Sequence, residues 1–345
     1  MGWKKINSVV SMYEQPVFGT VKAEQRVMAI SIDKETKNPY LGLAREITKS
    51  QGTPDKPGFI DESKLIIVES KNLLSWKKKK DLEIEGIEEI IKKLSGNDKY
   101  LIGLEDPDII NENGIKHVYF TIAFKYTKKV GYAVYLGHAT GKSIEELKAG
   151  EPVLSPVQDF RGFKEVTISP VNSKGYRINL SEAQLVINDD ELSVTISAKT
   201  KSLSEPWEYE EIVIDPREMK YDWCKGETSP MILFPRDFIS VENKDLVVGI
   251  INGRQVKRIV NGEKIHGKFR PGLILYNIET GKVEWIAPDC LFEDPDARTI
   301  TFSSDFIQTK EDEGILYAHV NDSFIRAYKI NAKELKKYIE KEYKI

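Results

Sequence analysis

Short runs rich in Val, Ile, Leu and aromatic residues, bounded by Gly, Pro, Asn and Asp, recur along the chain, and no sustained helical periodicity occurs before residue 331. Five of these runs are variants of one strand: PYLGLARE from Pro39, HVYFTIAF from His117, ELSVTISA from Glu191, DLVVGIIN from Asp245 and ILYAHVND from Ile315. Most follow a polar turn (DKETKN, NENGIK, NDD, ENK, TKEDEG), and most precede a second strand such as KLIIVES, GYAVYLGHA, YEEIVI, PGLILYNIE or FIRAYKI. Apolar run, polar turn, apolar run is the pattern of antiparallel hairpins in series.

Five copies in 345 residues give a mean repeat of about 69 residues, which suits four-stranded units with long loops. The prediction is an all-β fold, a five-bladed β-propeller over residues 1–330, closed by a short C-terminal helix over 331–345. In that helix Asn331 is the N-cap, Glu334 the reciprocal capping residue, and Leu335, Tyr338 and Ile339 share the face that packs on the last blade. Trp76, Trp207 and Trp285 fall at outer blade edges, and Lys77 to Lys80 read as a solvated edge strand. Two tandem β-sandwiches would need a linker, and no Pro/Gly/Ser-rich segment divides the middle of the chain.

Composition narrows the function classes. Length alone suggests two or three domains, but the repeat absorbs nearly the whole chain into one ring. With 51 Lys+Arg against 54 Asp+Glu the net charge is -3, so the basic excess of a nucleic-acid or anionic-membrane binder is missing. Cys224 and Cys290 have neither metal-ligand nor disulfide-framework spacing, no histidine pair has metal spacing, and no organic cofactor is indicated. The N-terminus lacks a signal-peptide core and no stretch approaches the ~20 apolar residues of a membrane span, so a cytoplasmic address is expected.

The chemistry concentrates in GLEDPDII, Gly103 to Ile110, followed by the turn NENGIK and the strand HVYFTIAF. This segment resembles the GxEDPRI signature of glycoside hydrolase family 130, the mannoside phosphorylases and related mannosidases, which are five-bladed propellers. Further stretches agree in order. YLGLARE is similar to a first-blade strand ending in arginine, here Arg45. Lys225 to Gly253 resembles a Gly- and Pro-rich turn followed by a strand ending in tyrosine-histidine-glycine, here Ile251-Asn252-Gly253. ILYAHVNDSFIRAYKINAKELKKYI resembles the closing Gly-Ala-Ala-Asp strand and final helix, with Asp322 at the aspartate.

The resemblance implies an oligosaccharide substrate, β-linked mannosides or relatives, cleaved with inversion. Asp106 would be the acid, and Arg45, Glu105, Asp108, Asn252, His319 and Asp322 would contact the substrate. The attacker is inorganic phosphate, held by cationic donors, or water, activated by a carboxylate across a gap of roughly 6.5 to 9.5 Å. Three departures remove donors: Asp108 stands where the family has arginine, Asn252 where it has histidine, and TISA around Ser197 replaces a basic strand end. Hydrolysis is therefore favoured over phosphorolysis unless Lys225, Arg254 or Arg258 restores the charge, and Glu227 or Glu182 is the candidate base.

Other readings compete. Asp-Pro also opens plain turns, and Glu293-Asp294-Pro295-Asp296 repeats the tetrapeptide without a strand context that suggests chemistry. A catalytically silent glycan-binding propeller would lose the same residues. A furanosidase-type carboxylate triad would need an aspartate opening the first inner strand, and Asp33 lies too early. His117 and His138 read as satisfied strand residues, and His266 lies in a Gly-rich loop. The family also implies association into homo-oligomers, for which the sequence singles out no patch.

Overall fold

The computed structural model describes residues 2–22, 26–52, 59–129, 131–157, 159–187 and 190–343. Met1, Asn188 and Asp189 of the NDD turn, and Lys344 and Ile345 of the tail lie outside the described residues. The architecture is mostly β.

Strands pair with their sequence neighbours in antiparallel runs. The first run is Val27–Asp33, Tyr40–Gln51, Ile60–Ser70 and Trp76–Asp81. The second is Lys99–Glu112, Ile115–Tyr126, Tyr132–Gly141 and Leu147–Ala149. The third is Phe160–Thr167, Arg177–Ile187, Asp190–Thr200 and Glu208–Ile214. The fourth is Glu227–Leu233, Leu246–Arg254, Phe269–Asn277 and Lys282–Ile286. The fifth joins the ends of the chain: Thr301–Gln308, Glu313–Val320 and Phe324–Asn331 are completed by Val10–Tyr13 and Trp3–Lys5.

The first three runs are stitched together by single parallel residue pairs, Ser63 with Gly103 and Val134 with Gly162. Glycine is required at both crossings, because a Cβ would lie 2.4 Å from the Ser63 carbonyl oxygen at Gly103 and 2.0 Å from that of Val134 at Gly162. The opening strands of the five runs touch one another in cyclic order, the last returning to the first. Among the described residues no hydrogen-bonded sheet closes on itself.

The hydrophobic core lies in seams between successive runs. Ile66 and Val68 meet Tyr317 and Ala327; Leu43 and Ile67 meet Val118 and Phe120; Leu136 meets Phe163 and Ile196; Leu180 and Ile214 meet Val247 and Ile274. The last seam, with Ile250, Leu273, Leu316 and Tyr328, also receives Leu335 and Ile339 of the C-terminal helix Ala332–Tyr343. The Glu334 amide donates to Asn331 Oδ1 at 3.0 Å, so Asn331 caps that helix. A second helix, Ile87–Ser95, was not read from the sequence. It is short, and Ile87, Ile90, Ile91 and Leu94 lean on the seam between the first and second runs without becoming fully buried.

The repeating strands read from the sequence are not the innermost ones. Those from Pro39, His117, Asp245 and Ile315 are the second strands of their runs, and that from Glu191 is the third strand of its run, one position out of phase. The reason is physical. Second strands are covered on both faces and show long apolar runs, whereas opening strands carry polar side chains and an interruption of the pleat. Every opening strand has that interruption, a register shift at Ala29–Ile30, Asp106–Pro107, Glu165, Met231 and Ser304. Ala29, Asp106 and Glu165 have φ of 49°, 46° and 46°. Each such left-handed non-glycine residue costs on the order of 1–3 kcal/mol, so the surrounding packing must hold it there.

The second EDPD tetrapeptide is a structural lock. Arg326, 1% exposed, donates to both Asp294 carboxylate oxygens at 2.8 and 2.7 Å and to Asp296 Oδ2 at 2.8 Å, while the Tyr328 hydroxyl donates to Asp294 Oδ2 at 2.5 Å. Replacing Asp294 by Ala strands a buried guanidinium and is expected to cost about 3–5 kcal/mol, whereas Asp296→Ala, at a half-exposed carboxylate, should cost about 1 kcal/mol or less. Urea-unfolding midpoints of the two variants check this; equal shifts would contradict it.

Candidate functional site

In a regular strand, neighbouring residues point to opposite faces. The bulges suspend that rule where it matters. Glu105 and Asp106 are consecutive, yet both line one cavity of about 370 Å³, and so do Lys164 and Glu165 on the next opening strand. All five runs contribute to its wall: Arg45 and Asp61 from the first, Tyr132 beside Glu105 and Asp106 from the second, Gln184 beside Lys164 and Glu165 from the third, Glu227, Arg254 and Phe269 from the fourth, Phe302, His319 and Asp322 from the fifth. His266 lines it from the loop before Phe269.

The wall is a network of ion pairs. Arg45 Nη2 donates to Glu105 Oε1 at 2.7 Å and Nη1 to Asp106 Oδ1 at 3.3 Å. Arg254 Nη1 donates to Glu227 Oε2 at 3.0 Å. Lys164 Nζ lies 3.6 Å from Glu165 Oε1 and 3.4 Å from Glu182 Oε1. His319 Nδ1 accepts from the Ala29 amide at 3.3 Å, which leaves Nε2 facing Asp322 Oδ1 at 3.2 Å. Asp61 is held by Arg26 through two 2.8 Å hydrogen bonds. Phe302 stacks on the His319 ring at 5.0 Å, and the Arg254 guanidinium lies 4.7 Å over Phe269.

Burial sets the protonation. One guanidinium serves two carboxylates in the Arg45 group, and burial together with the Asp106 charge pushes Glu105 up to about 7 against the pull of Arg45. Glu165 is raised well above the ordinary range, first by burial and also by Glu182 and Asp106, with Lys164 opposing. Asp322 goes the other way: burial works against its charge, but His319, Arg45 and Arg26 hold it below the usual value.

No protein-family profile matches the sequence, and no curated protein matches it in sequence. Solved structures do match in fold. A β-1,2-mannobiose phosphorylase from Listeria innocua, in complex with β-1,2-mannobiose, superposes over 98% of this chain and 95% of its own, with TM-score 0.65 and 14% identity. A GDP-Man-dependent mannosyltransferase from Leishmania mexicana matches over 89% and 85%, with TM-score 0.54 and 15% identity. A family 117 glycoside hydrolase from Zobellia galactanivorans matches over 94% and 90%, with TM-score 0.53 and 11% identity. At such identities the likeness is one of fold. Three different group-transfer reactions share it.

Of the residues read from the sequence, Arg45, Glu105, Asp106, Glu227, His319 and Asp322 meet at the cavity wall. Glu182 is buried behind it, against Lys164. Asp108 lies further along its strand with Ser31, Lys34 and Asp305, and burial plus the Asp305 charge lifts it to about 7. Asn252 is buried and clamps the fourth run to the fifth, its Nδ2 donating to the Ser303 carbonyl at 3.0 Å and its Oδ1 accepting from the Ser303 amide and hydroxyl at 2.9 and 2.8 Å. Asp33 binds Lys116 at 2.8 Å, outside the cavity.

The sequence reading missed Lys164 and Glu165. Their segment FRGFKEVT lies ahead of the apolar run from Glu191 that marks the third repeat in the sequence, and its pair KE ahead of an apolar strand matches ED of the second run. Lys164 and Arg254 stand in the wall, so the losses at Asp108, Asn252 and Ser197 do not strip the cavity of cations.

Replacing Arg45 by Met leaves Glu105 and Asp106 buried without their cation, an expected loss of about 3–5 kcal/mol when both are ionised. Glu105, already pushed up by burial, loses the cation that opposed the shift, so the variant binds more protons folded than unfolded and loses stability as pH rises. The deficit against wild type in urea unfolding should be larger at pH 8 than at pH 5. A deficit independent of pH would contradict the pairing.

Proposed function

We propose that the chain is a five-bladed β-propeller, residues 1–330, with the helix of 331–345 packed on it, and that the cavity hydrolyses the glycosidic bond of β-linked mannosides or related oligosaccharides with inversion. The observation that carries the reading is the bulge that brings Glu105 and Asp106 together into the cavity, which Glu227 lines from the fourth run. The GLEDPDII resemblance and the mannobiose bound by the Listeria protein of the same fold support the substrate class.

In this mechanism Asp106 donates the proton to the leaving oxygen. Arg45, bridging Glu105 and Asp106, fixes their orientation. Glu227 takes the proton from an attacking water, its position set by Arg254. Asp322 and His319 bind sugar hydroxyls, and Phe269 and Phe302 give the wall an apolar surface. General acid and base catalysis by such carboxyls is worth about 10²- to 10⁴-fold each.

Water is preferred to phosphate as attacker because Arg45, Lys164 and Arg254 are each engaged by carboxylates of the site. A phosphate dianion would enter among Asp61, Glu105, Asp106, Glu165, Glu227 and Asp322. Phosphorolysis is the alternative, and Arg254 and His266 are the donors it would recruit.

A panel of β-mannosides incubated with and without inorganic phosphate decides between these. Phosphate-independent release of free sugar is expected, lowered about 10²- to 10⁴-fold by Asp106→Asn. Formation of a sugar phosphate would establish phosphorolysis. Equal activity of wild type and Asp106→Asn would remove Asp106 as the acid.

A further inference from the structure

Glu182 is the register partner of Lys164 on the first two strands of the third run, the bulge sets Glu165 beside them, and the Lys164 ammonium lies 3.6 Å from the Glu165 and 3.4 Å from the Glu182 carboxylate. Both are deeply buried, 6% and 2% exposed. Between them they have one lysine, Lys164, and Glu165 also accepts a hydrogen bond from the Ser229 hydroxyl. Glu182 Oε1 is met by the Lys164 ammonium at 3.4 Å, too poorly aimed for a hydrogen bond. Two ionised carboxylates sharing one ammonium are poorly balanced in a buried site. A single proton on the pair balances the charge.

Only one member of the pair reaches the cavity. Glu165 lines it, placed there by the bulge at φ 46°, while Glu182 stays behind. We propose that Glu165 and Glu182 share one proton, and that Glu165 is a substrate-contacting donor that presents this proton to a sugar hydroxyl, with Glu182 as the residue that positions it. The substrate half of this inference rests on the carbohydrate reading of the cavity. The glutamic acid is then a specificity element, since it donates where an ionised carboxylate could only accept.

The charged groups around the pair agree. Lys164 lies on the same strand; Glu105 and Asp106 face it from the second run, and Glu227 with Arg254 lines the cavity from the fourth. Lys164 is answered by Glu182, Arg254 by Glu227, and Arg45 by Glu105 and Asp106. Glu165 shares Lys164 with Glu182 and has no cation of this group to itself. Burial and the surrounding carboxylates push Glu165 upward, the same direction.

Infrared difference spectra at pH 7 test the shared proton whatever the substrate. Wild type should show a protonated-carboxyl component that is lost in both Glu165→Gln and Glu182→Gln, the second because Lys164 then has Glu165 as its one carboxylate of the pair. A band unchanged in both variants, or absent from wild type, would overturn the dyad.

Kinetics on the mannoside panel test the contact. Glu165→Ala should lower kcat/KM by roughly 10- to 100-fold, mainly through KM. Glu165→Gln, which keeps a donor, should recover to within about tenfold of wild type and lose the alkaline limb of the pH profile, where Glu165 ionises. A Gln variant as impaired as Ala, in kcat rather than KM, or an alkaline limb that survives it, would contradict the assignment. Absence of turnover on every glycoside would instead remove the carbohydrate reading and the sugar contact with it, leaving the infrared result to decide the dyad.

Discussion

The site depends on one backbone device, a bulge in the opening strand of every run. A regular pleat would send Glu105 and Asp106 to opposite faces, and likewise Lys164 and Glu165. The extra residue turns consecutive charged side chains toward the same cavity. At Asp106 and Glu165 it does so through a left-handed backbone that non-glycine residues adopt only under constraint. The seams of apolar side chains between runs supply that constraint, so the hydrophobic core and the cavity are parts of one mechanical arrangement.

The same geometry explains the balance of charge. The cavity holds more carboxyls than cations, and burial makes it costly to ionise all of them. Arg45 is shared, Lys164 is shared, and the carboxyls left over rise in affinity for protons: Glu105 to about 7, and Glu165 well above its ordinary value. A site able to hold neutral and ionised carboxyls side by side near pH 7 has what acid–base chemistry requires.

Much of this was legible in the sequence. Hairpins in series, the capped C-terminal helix and the ED pair at 105–106 follow from periodicity, capping residues and turn chemistry. The phase of the repeat was not, because the strand nearest the cavity has the weakest hydrophobic pattern; its bulge breaks the alternation that pattern reading relies on. That error hid Lys164 and Glu165. Asn252 shows the converse: a polar residue at a position matched to the family's site is used here to clamp two strands, and only its bonds to Ser303 reveal it. The two EDPD segments share a sequence and differ in use, one paired with Arg45 at a cavity and the other closed around buried Arg326.

The central claim is that the bulge-borne carboxyls face the reacting sugar. The most direct measurement is a crystal structure of Asp106→Asn soaked with a β-linked manno-oligosaccharide. The account predicts a sugar in the central cavity, with a glycosidic oxygen within hydrogen-bond distance of residue 106 and a hydroxyl on Glu165. An oligosaccharide bound elsewhere on the molecule, with the cavity left to solvent, would contradict it.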